Sequence, residues 1–400
     1  MAAMRSCNVP ALRLEGFEGA WELKAIGDLS GRTYGGGTPS SDEPGYWSGD
    51  IPWIQSSDVA EQGVAPVAPR KYITREAISR SATRQIPANS VAVVTRVGVG
   101  KVSFMPFPYA TSQDFVSLSD LSGNPEYIAL TVKRRMEGLA DQLQGSTIKG
   151  ITKAELLNQA VHFPPTLEEQ QAIGAIFANL DAAINQHTKK RQALQQAKTA
   201  LMQRMFPQEG QTVPELRLEG FDGEWNKSTI GSQTEVVMGQ SPHGNSYNTK
   251  AVGEILVQGN ADLADGWVTP RVWTTEPTRI AEPGTLIMSV RAPVGAMGKT
   301  RHRVVLGRGV AGIKGNEFIF QYLTMLEQDG YWSSKSSGST FDSVNGTEVR
   351  STRISVPPTL EEQQAIGAVF TQLDALIATE AKYIDSLKQA KTALLQQMFI

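Results

Sequence analysis

Two stretches of the chain carry a helical stripe too long for the face of a small domain. Apolar residues recur as Ile173, Ile176, Phe177, Leu180, Ile184, Leu194, Ala197, Leu201 and Met205. A second series runs Ile366, Val369, Phe370, Leu373, Ile377, Ile384, Leu387, Leu394 and Met398. Spacings of three, four and seven put one apolar seam along each helix. Seam positions Ile173, Leu180, His187, Leu194 and Leu201, with Ile366, Leu373, Glu380, Leu387 and Leu394, predict a coiled coil. At 1.5 Å per residue each helix is roughly 60 Å long. Thr166 and Thr359 stand as N-caps, and Glu169 and Glu362 follow at the spacing of a capping box. The preceding Pro164-Pro165 and Pro357-Pro358 discourage an earlier start. Two helices packed separately on their own domains is the alternative. His187 and Glu380 interrupt the seam at the same repeat position. They form either a polar contact that fixes register or two solvated side chains.

The chain is written twice. Pro10-Ala-Leu-Arg-Leu-Glu-Gly-Phe17 returns as Pro214-Glu-Leu-Arg-Leu-Glu-Gly-Phe221, and Pro164 to Ala175 returns unchanged as Pro357 to Ala368. Extended over 164–206 and 357–399, the second match holds 28 identities in 43 positions. Between these pieces the halves share only scattered residues. Ile54-Gln55 resembles Val257-Gln258, Gly63 resembles Gly266, and Gly145-Ser-Thr147 matches Gly338-Ser-Thr340. Thr95-Arg-Val-Gly-Val-Gly-Lys101 resembles Val290 to Lys299. Ser90–Thr95 and Thr285–Val290 read as buried strands among many Pro/Gly/Ser turns. The expectation is an α+β chain with a pseudo-twofold internal repeat. It has two mixed α/β domains, 1–163 and 208–356, and two long helices, 164–207 and 357–400. Identical segments should do one job twice; divergent ones should do related jobs on different targets.

Composition changes this picture little. Apolar content is 40% and charged content 20%, as in ordinary globular chains. The single cysteine, Cys7, excludes an internal disulfide and fits a reducing cytoplasm; it reads as a surface thiol near a flexible end. With no signal core and no run of membrane-spanning length, a cytoplasmic protein without a membrane partner is expected. Charge matters through its distribution. The net charge is −2, yet 67–101 holds seven Lys/Arg against one acid, and 265–315 holds eight against three. Leu12 to Gln62 runs the other way, with nine acids against three bases. Two basic blocks fit either two anionic footprints or solvated surface charge.

Catalytic chemistry is missing. No Asp/Asn-Pro-Pro-aromatic loop of an adenine or cytosine methyltransferase is present, since the Pro-Pro pairs open the helices. Gly98-Val-Gly-Lys101 lacks the first glycine of a phosphate loop, and Val102 stands where a magnesium-binding Ser/Thr is required. His162, His187, His243 and His302 have no metal-ligand spacing.

Pro-Pro-Thr-Leu-Glu-Glu-Gln-Gln-Ala-Ile, followed by a long helix ending Gln-Ala-Lys-Thr-Ala-Leu, occurs twice, each time after a Gly-Ser-Thr loop. With Leu-Arg-Leu-Glu-Gly-Phe…Trp and the Ile51-Pro-Trp-Ile-Gln…Asp58 stretch, it resembles the specificity subunit of type I restriction–modification enzymes over nearly the whole chain. The resemblance implies two target-recognition domains, each reading half of a bipartite asymmetric site in double-stranded DNA. It implies that the helices pair as an antiparallel coiled coil that fixes domain spacing. It also implies two modification (adenine methyltransferase) subunits and restriction subunits as partners. S-adenosylmethionine, ATP and magnesium would then belong to those partners, with no cofactor, metal or catalytic residue in this chain. A specificity subunit serving a fused nuclease–methyltransferase, and a coiled-coil scaffold without DNA affinity, are the alternatives.

Candidate DNA contacts on the first domain are Arg96, Lys101, Ser112, Gln113 and the loop Gly145, Ser146, Thr147 and Lys149. On the second they are Arg291, Lys299, Arg308 and Gly338, Ser339 and Thr340. Arg96 and Arg291 each follow a buried strand, as DNA contacts or as partners of a nearby acid. The Gly-Ser-Thr loops either touch DNA or only turn the chain toward the helix. Trp53, Trp267 and Trp273 read as core. One more expectation comes from the repeat: the second Leu-Arg-Leu-Glu-Gly-Phe follows a helix and the first does not. The helix ending at Phe399 should therefore fill that vacancy beside Pro10.

Overall fold

The computed structural model describes residues 8–143, 150–335 and 343–400. They form two compact units, Met1–His187 with Tyr383–Ile400, and Thr188–Lys382. Cys7 lies outside the described residues.

The first unit contains β1 (Glu22–Ala25), β2 (Ser30–Gly35), β3 (Ile51–Ile54), β4 (Lys71–Ile73), α1 (Arg75–Arg80) and β5 (Ser90–Val94). It continues through β6 (Val102–Met105), β7 (Ala110–Thr111), β8 (Phe115–Leu121), α2 (Pro125–Leu143), α3 (Lys153–Leu157) and β9 (Ala160–Phe163) into α4 (Leu167–Met205). The main sheet has the order β2-β8-β5-β6, and a smaller one has the order β4-β3-β7. Every residue of β5 is buried, because both of its faces are covered. Val91 and Val93 join a core with Tyr127 and Ile128 of α2, while Ala92 and Val94 join a second core with Ile54 and Tyr109. A strand buried on both sides reads as a continuous apolar run, which is how the sequence exposes it.

The second unit repeats this plan with additions. It holds β10 (Asn226–Thr229), α5 (Ile230–Gln233), β11 (Val236–Met238), β12 (Tyr247–Asn248), β13 (Glu254–Val257), β14 (Leu263–Ala264), β15 (Trp267–Val268), β16 (Trp273–Thr274) and β17 (Ile280–Ala281). Then come β18 (Leu286–Ser289), β19 (Met297–Lys299), β20 (Val304–Leu306), β21 (Val310–Ile313), α6 (Glu317–Gln328), α7 (Tyr331–Lys335), α8 (Gly346–Ser351), β22 (Arg353–Val356) and α9 (Leu360–Met398). Its sheets run β11-β21-β18-β19-β15-β14 and β12-β16-β13-β20-β17. Strands β2, β8, β5 and β6 thus correspond to β11, β21, β18 and β19. The parallel pair β3/β7 corresponds to the parallel pair β13/β20.

The predicted pairing of α4 with α9 is antiparallel within each unit. In the first, Asp181 bonds Lys391 and the His187 ring lies 4.4 Å from that of Tyr383. In the second, Lys190 meets Glu380 at 2.5 Å and Lys198 meets Asp374 at 2.7 Å. Partner numbers fall as α4 numbers rise. At the interrupted seam, His187 therefore packs on Tyr383, and buried Glu380 takes a lysine. Both units claim half of each helix, so the observed division falls at mid-helix and not at 163/164 and 356/357. The seam residues Leu180 and Leu394 pack on the first core, and Leu201 and Leu373 on the second.

The vacancy beside Pro10 is filled as expected. Leu12 N–H donates to Gln397 O at 2.9 Å, matching Leu216 N–H to Arg204 O at 2.8 Å. Phe399 stacks on Tyr127 at 5.6 Å and meets Trp21 edge-on; Phe206 meets Trp225 edge-on and stacks on Phe370 at 5.9 Å. The capping box is only half built. Thr166 Oγ1 accepts from Glu169 N–H, but the Glu169 carboxylate turns away to Arg13 (2.8 and 2.7 Å) and to Trp21 Nε1 (3.2 Å). Arg217 holds Glu362 in the same fork, at 2.9 and 2.8 Å. The bond to Glu169 raises the Arg13 guanidinium further above its ordinary range, so it stays charged.

Candidate nucleic-acid interface

Topology gathers the loops that follow β2, β3, β5 and β7 at one end of the first unit. Antiparallel register sets Val94 of β5 against Phe115, and Gly35 of β2 against Val116. Parallel register sets Ile54 beside Thr111. Thr38, Gln55–Asp58, Arg96 and Ser112–Asp114 therefore emerge together. Backbone bonds tie them: Ser112 N–H to Ile54 O at 2.9 Å and Thr95 N–H to Asp114 O at 2.8 Å. Ile151 N–H donates to Thr95 O at 2.8 Å. The chain just after Gly145–Lys149 thus lies against Arg96.

The second unit makes the same bonds with different residues. Gly307 N–H donates to Val257 O and Val290 N–H to Gly309 O, at 2.8 and 2.9 Å. Arg291 bridges to Ser343, just after 336–342. Gln113 and Arg308 thereby occupy one structural position, as do Arg96 and Arg291, and Thr38 and Ser241. Close approach requires glycine beneath this loop in both units. A Cβ on Gly36 would fall 1.8 Å from Ser112 O, and one on Gly239 would fall 2.0 Å from Gly307 O.

The candidate contacts separate into groups. Arg96, Gln113, Arg291 and Arg308 are exposed at this end. Neither Arg96 nor Arg291 has an ion-pair partner among the described residues, so the acid-partner alternative finds no support there. Ser112 is buried, its hydroxyl turned to Asp114 at 3.3 Å. Lys101 lies at the right end but spends its charge on Glu61 at 2.6 Å. Lys299 differs from its sequence match. It pairs with Leu286, at the end of β18 remote from Arg291, and is held by Glu317 at 2.9 Å between the Trp267 and Phe320 rings. The structural counterpart of Val102 is Met297, since each starts the strand after the turn. Gly145, Ser146, Thr147, Lys149, Gly338, Ser339 and Thr340 lie outside the described residues. Trp53 is core as expected, whereas Trp267 and Trp273 are only half-buried.

Sequence reading missed a second matched device. Asp58, whose side chain is buried, accepts from Gln55 N–H at 2.9 Å and from Arg70 Nε at 2.6 Å. Buried Asp262 accepts from Gln258 N–H at 2.7 Å and from Arg271 Nε at 2.9 Å. Each carboxylate orders the turn after a parallel strand, and each guanidinium remains more than half exposed (62% and 53%). The resemblance of Ile54-Gln55 to Val257-Gln258 and the stretch from Ile51 to Asp58 were the sequence signals, but the pairing stayed hidden because the Asp and Arg spacings differ between the copies. Among the described residues no cluster of His, Cys, Asp and Glu can hold a metal, and no helix is long and apolar enough to cross a membrane.

Comparison with known proteins agrees with this architecture. A family model described as type I restriction modification DNA specificity domain matches residues 18–196 and again 222–389. The MjaX type I restriction enzyme specificity subunit of Methanocaldococcus jannaschii is 28% identical over 256 residues, covering 61% of this chain and 59% of the relative. The EcoR124I/EcoR124II specificity subunit of Escherichia coli is 32% identical over 180 residues, 43% of this chain and 44% of the relative. The chain thus spans less than two thirds of the length of the curated relatives it matches. The crystal structure of a type I restriction-modification S subunit from M. genitalium covers 98% of this chain and 99% of its own, at TM-score 0.68 and 16% identity. That is a shared fold.

Proposed function

Because the chain belongs to the type I restriction–modification DNA specificity family, we propose that it reads a two-part site in double-stranded DNA and carries catalytic partners there. The observation that supports this best is the loop cluster built twice on one backbone plan with different outward side chains. Two copies of one scaffold bearing different tips suit two different half-sites. Exposed arginines supply phosphate contacts, and polar tips supply base contacts.

The helices suggest how partners attach. Leu167 and Leu360 are 47% and 56% exposed although apolar. Glu168, Gln171 and Ala175 are exposed and identical to exposed Glu361, Gln364 and Ala368. Packing does not demand identity at such positions, and at mid-helix, 185–188 against 378–381, it is absent. Two copies of one partner docking at the two helix entrances account for the difference. That partner is the modification subunit, which supplies adenine methylation from S-adenosylmethionine. Restriction subunits bring ATP- and magnesium-dependent cleavage.

The test is reconstitution. The chain alone should transfer no methyl group. With a modification subunit it should methylate a bipartite motif and bind DNA with a steep salt dependence. Methyl transfer by the pure chain, or salt-insensitive binding, would refute the proposal.

A further inference from the structure

We infer that one position in each unit, Gln113 in the first and Arg308 in the second, reads a base, and that the two select adenine and guanine respectively. The inference rests on the DNA-reading function proposed above and assigns that function to two side chains. Both sit at the tip of the turn that leaves the second parallel strand, where equivalent backbone bonds fix the turn on either side. Both tips are braced by a hydroxyl from the segment that follows the first strand of the main sheet. Thr38 Oγ1 donates to Gln113 Oε1 at 2.7 Å, and Ser241 Oγ accepts from Arg308 N–H at 3.2 Å. Each brace is followed by a buried proline, Pro39 or Pro242, and preceded by the glycine that lets the turn approach.

The chemistry separates these tips from their neighbours. Arg96 and Arg291 are the same residue in both units, so they cannot distinguish two different half-sites and suit the common phosphate backbone. Gln113 and Arg308 differ. A glutamine amide matches N6 and N7 of adenine, and a guanidinium matches O6 and N7 of guanine, each with two hydrogen bonds. The Thr38 bond orients the Gln113 amide while leaving its NH₂ and one lone pair of Oε1 open. Nearby Asp114 is only half exposed, and its carboxylate accepts from Ser112, which leaves the tip amide uncontested. Arg308 makes no ion pair among the described residues, so its fork is available.

The experiment uses the chain with its modification subunit and maps methylated sites for wild type, Gln113→Arg, Arg308→Gln and Gln113→Ala. Gln113→Arg should exchange adenine for guanine at one position of one half-site and leave the other half-site untouched. Arg308→Gln should do the converse in the other half. Gln113→Ala should keep the motif but lose roughly 5- to 100-fold of discrimination at that same position. It alters neither backbone bond, so it keeps the assignment testable if a swapped residue prevents folding. A wild-type motif with all three variants reading it unchanged overturns the assignment alone. A wild-type complex that methylates no two-part motif overturns the DNA-reading function as well.

Discussion

The clamps at the helix entrances and the tips of the exposed turns are both present twice, and they have diverged to opposite extents. Arg13–Glu169 and Arg217–Glu362 agree in residue, fork geometry and distance. Gln113 and Arg308 agree in backbone position, exposure and a bracing hydroxyl, but not in side chain. The clamp is closed on itself: a change in either member strands a partner that is nearly buried. The tip faces outward and is held by its backbone, so the fold places little demand on its side chain. Divergence between the copies therefore marks where the scaffold is indifferent to the side chain.

Damage to the shared frame should have the largest effect. Phe399→Ala and Phe206→Ala each remove a fully buried ring from equivalent aromatic clusters, and each should cost about 3–5 kcal/mol in its own unit. Thermal or denaturant melts would show it, and a large difference between the two would mean that the frames are not equivalent. Glu169→Ala and Glu362→Ala should follow, at about 3 kcal/mol, because an arginine is left largely buried and unpaired. Exchange by mass spectrometry should place the loosening at the matching helix entrance.

Changes at the exposed end should spare stability and alter binding. Arg96→Ala or Arg291→Ala should weaken DNA binding across all sequences and lower the magnitude of the salt slope by about 1, with melting unmoved. Loss of stability with unchanged binding would make these arginines structural. The smallest effect, absent at neutral pH, concerns tyrosines. Burial pushes the hydroxyl of Tyr109 well above its ordinary range, and burial likewise raises Tyr127 and, in the second unit, Tyr322. A group with a raised folded pKa contributes stability fully below its unfolded value, near 10, and loses it as pH rises toward the folded one. Melts above about pH 10 should therefore destabilise the first unit more than the second, and Tyr109→Phe should flatten that difference.

What the sequence revealed followed from how each feature is encoded. The helices were legible because a seam repeats over many turns. β5 and β18 were legible because burial on both faces leaves an unbroken apolar run. The junction of Phe399 with the first domain came from asking what the second copy had that the first lacked. The clamps were misread as capping boxes because Thr166 and Glu169 satisfy the local rule, whereas Arg13 lies far away in sequence. Lys299 was matched to Lys101 by glycine spacing, but the turns 95–101 and 290–296 are equally long, so Lys299 falls three residues further on, at the other end of the strand. The Asp58–Arg70 and Asp262–Arg271 pairs were hidden because their equivalence lies in backbone position, not in intervals along the chain.

The ring of Phe399 inside the first core also bears on synthesis. The second unit is one continuous run, Thr188–Lys382, and is complete on the ribosome before the residues that finish the first have emerged. Trp21 and Tyr127 wait for an aromatic partner, Phe399, encoded after the whole of the second unit. Domains usually settle from the N-terminus onward during translation; here the first to appear is the last to close. A product released before Phe399 would lack the ring that stacks on Tyr127 and meets Trp21.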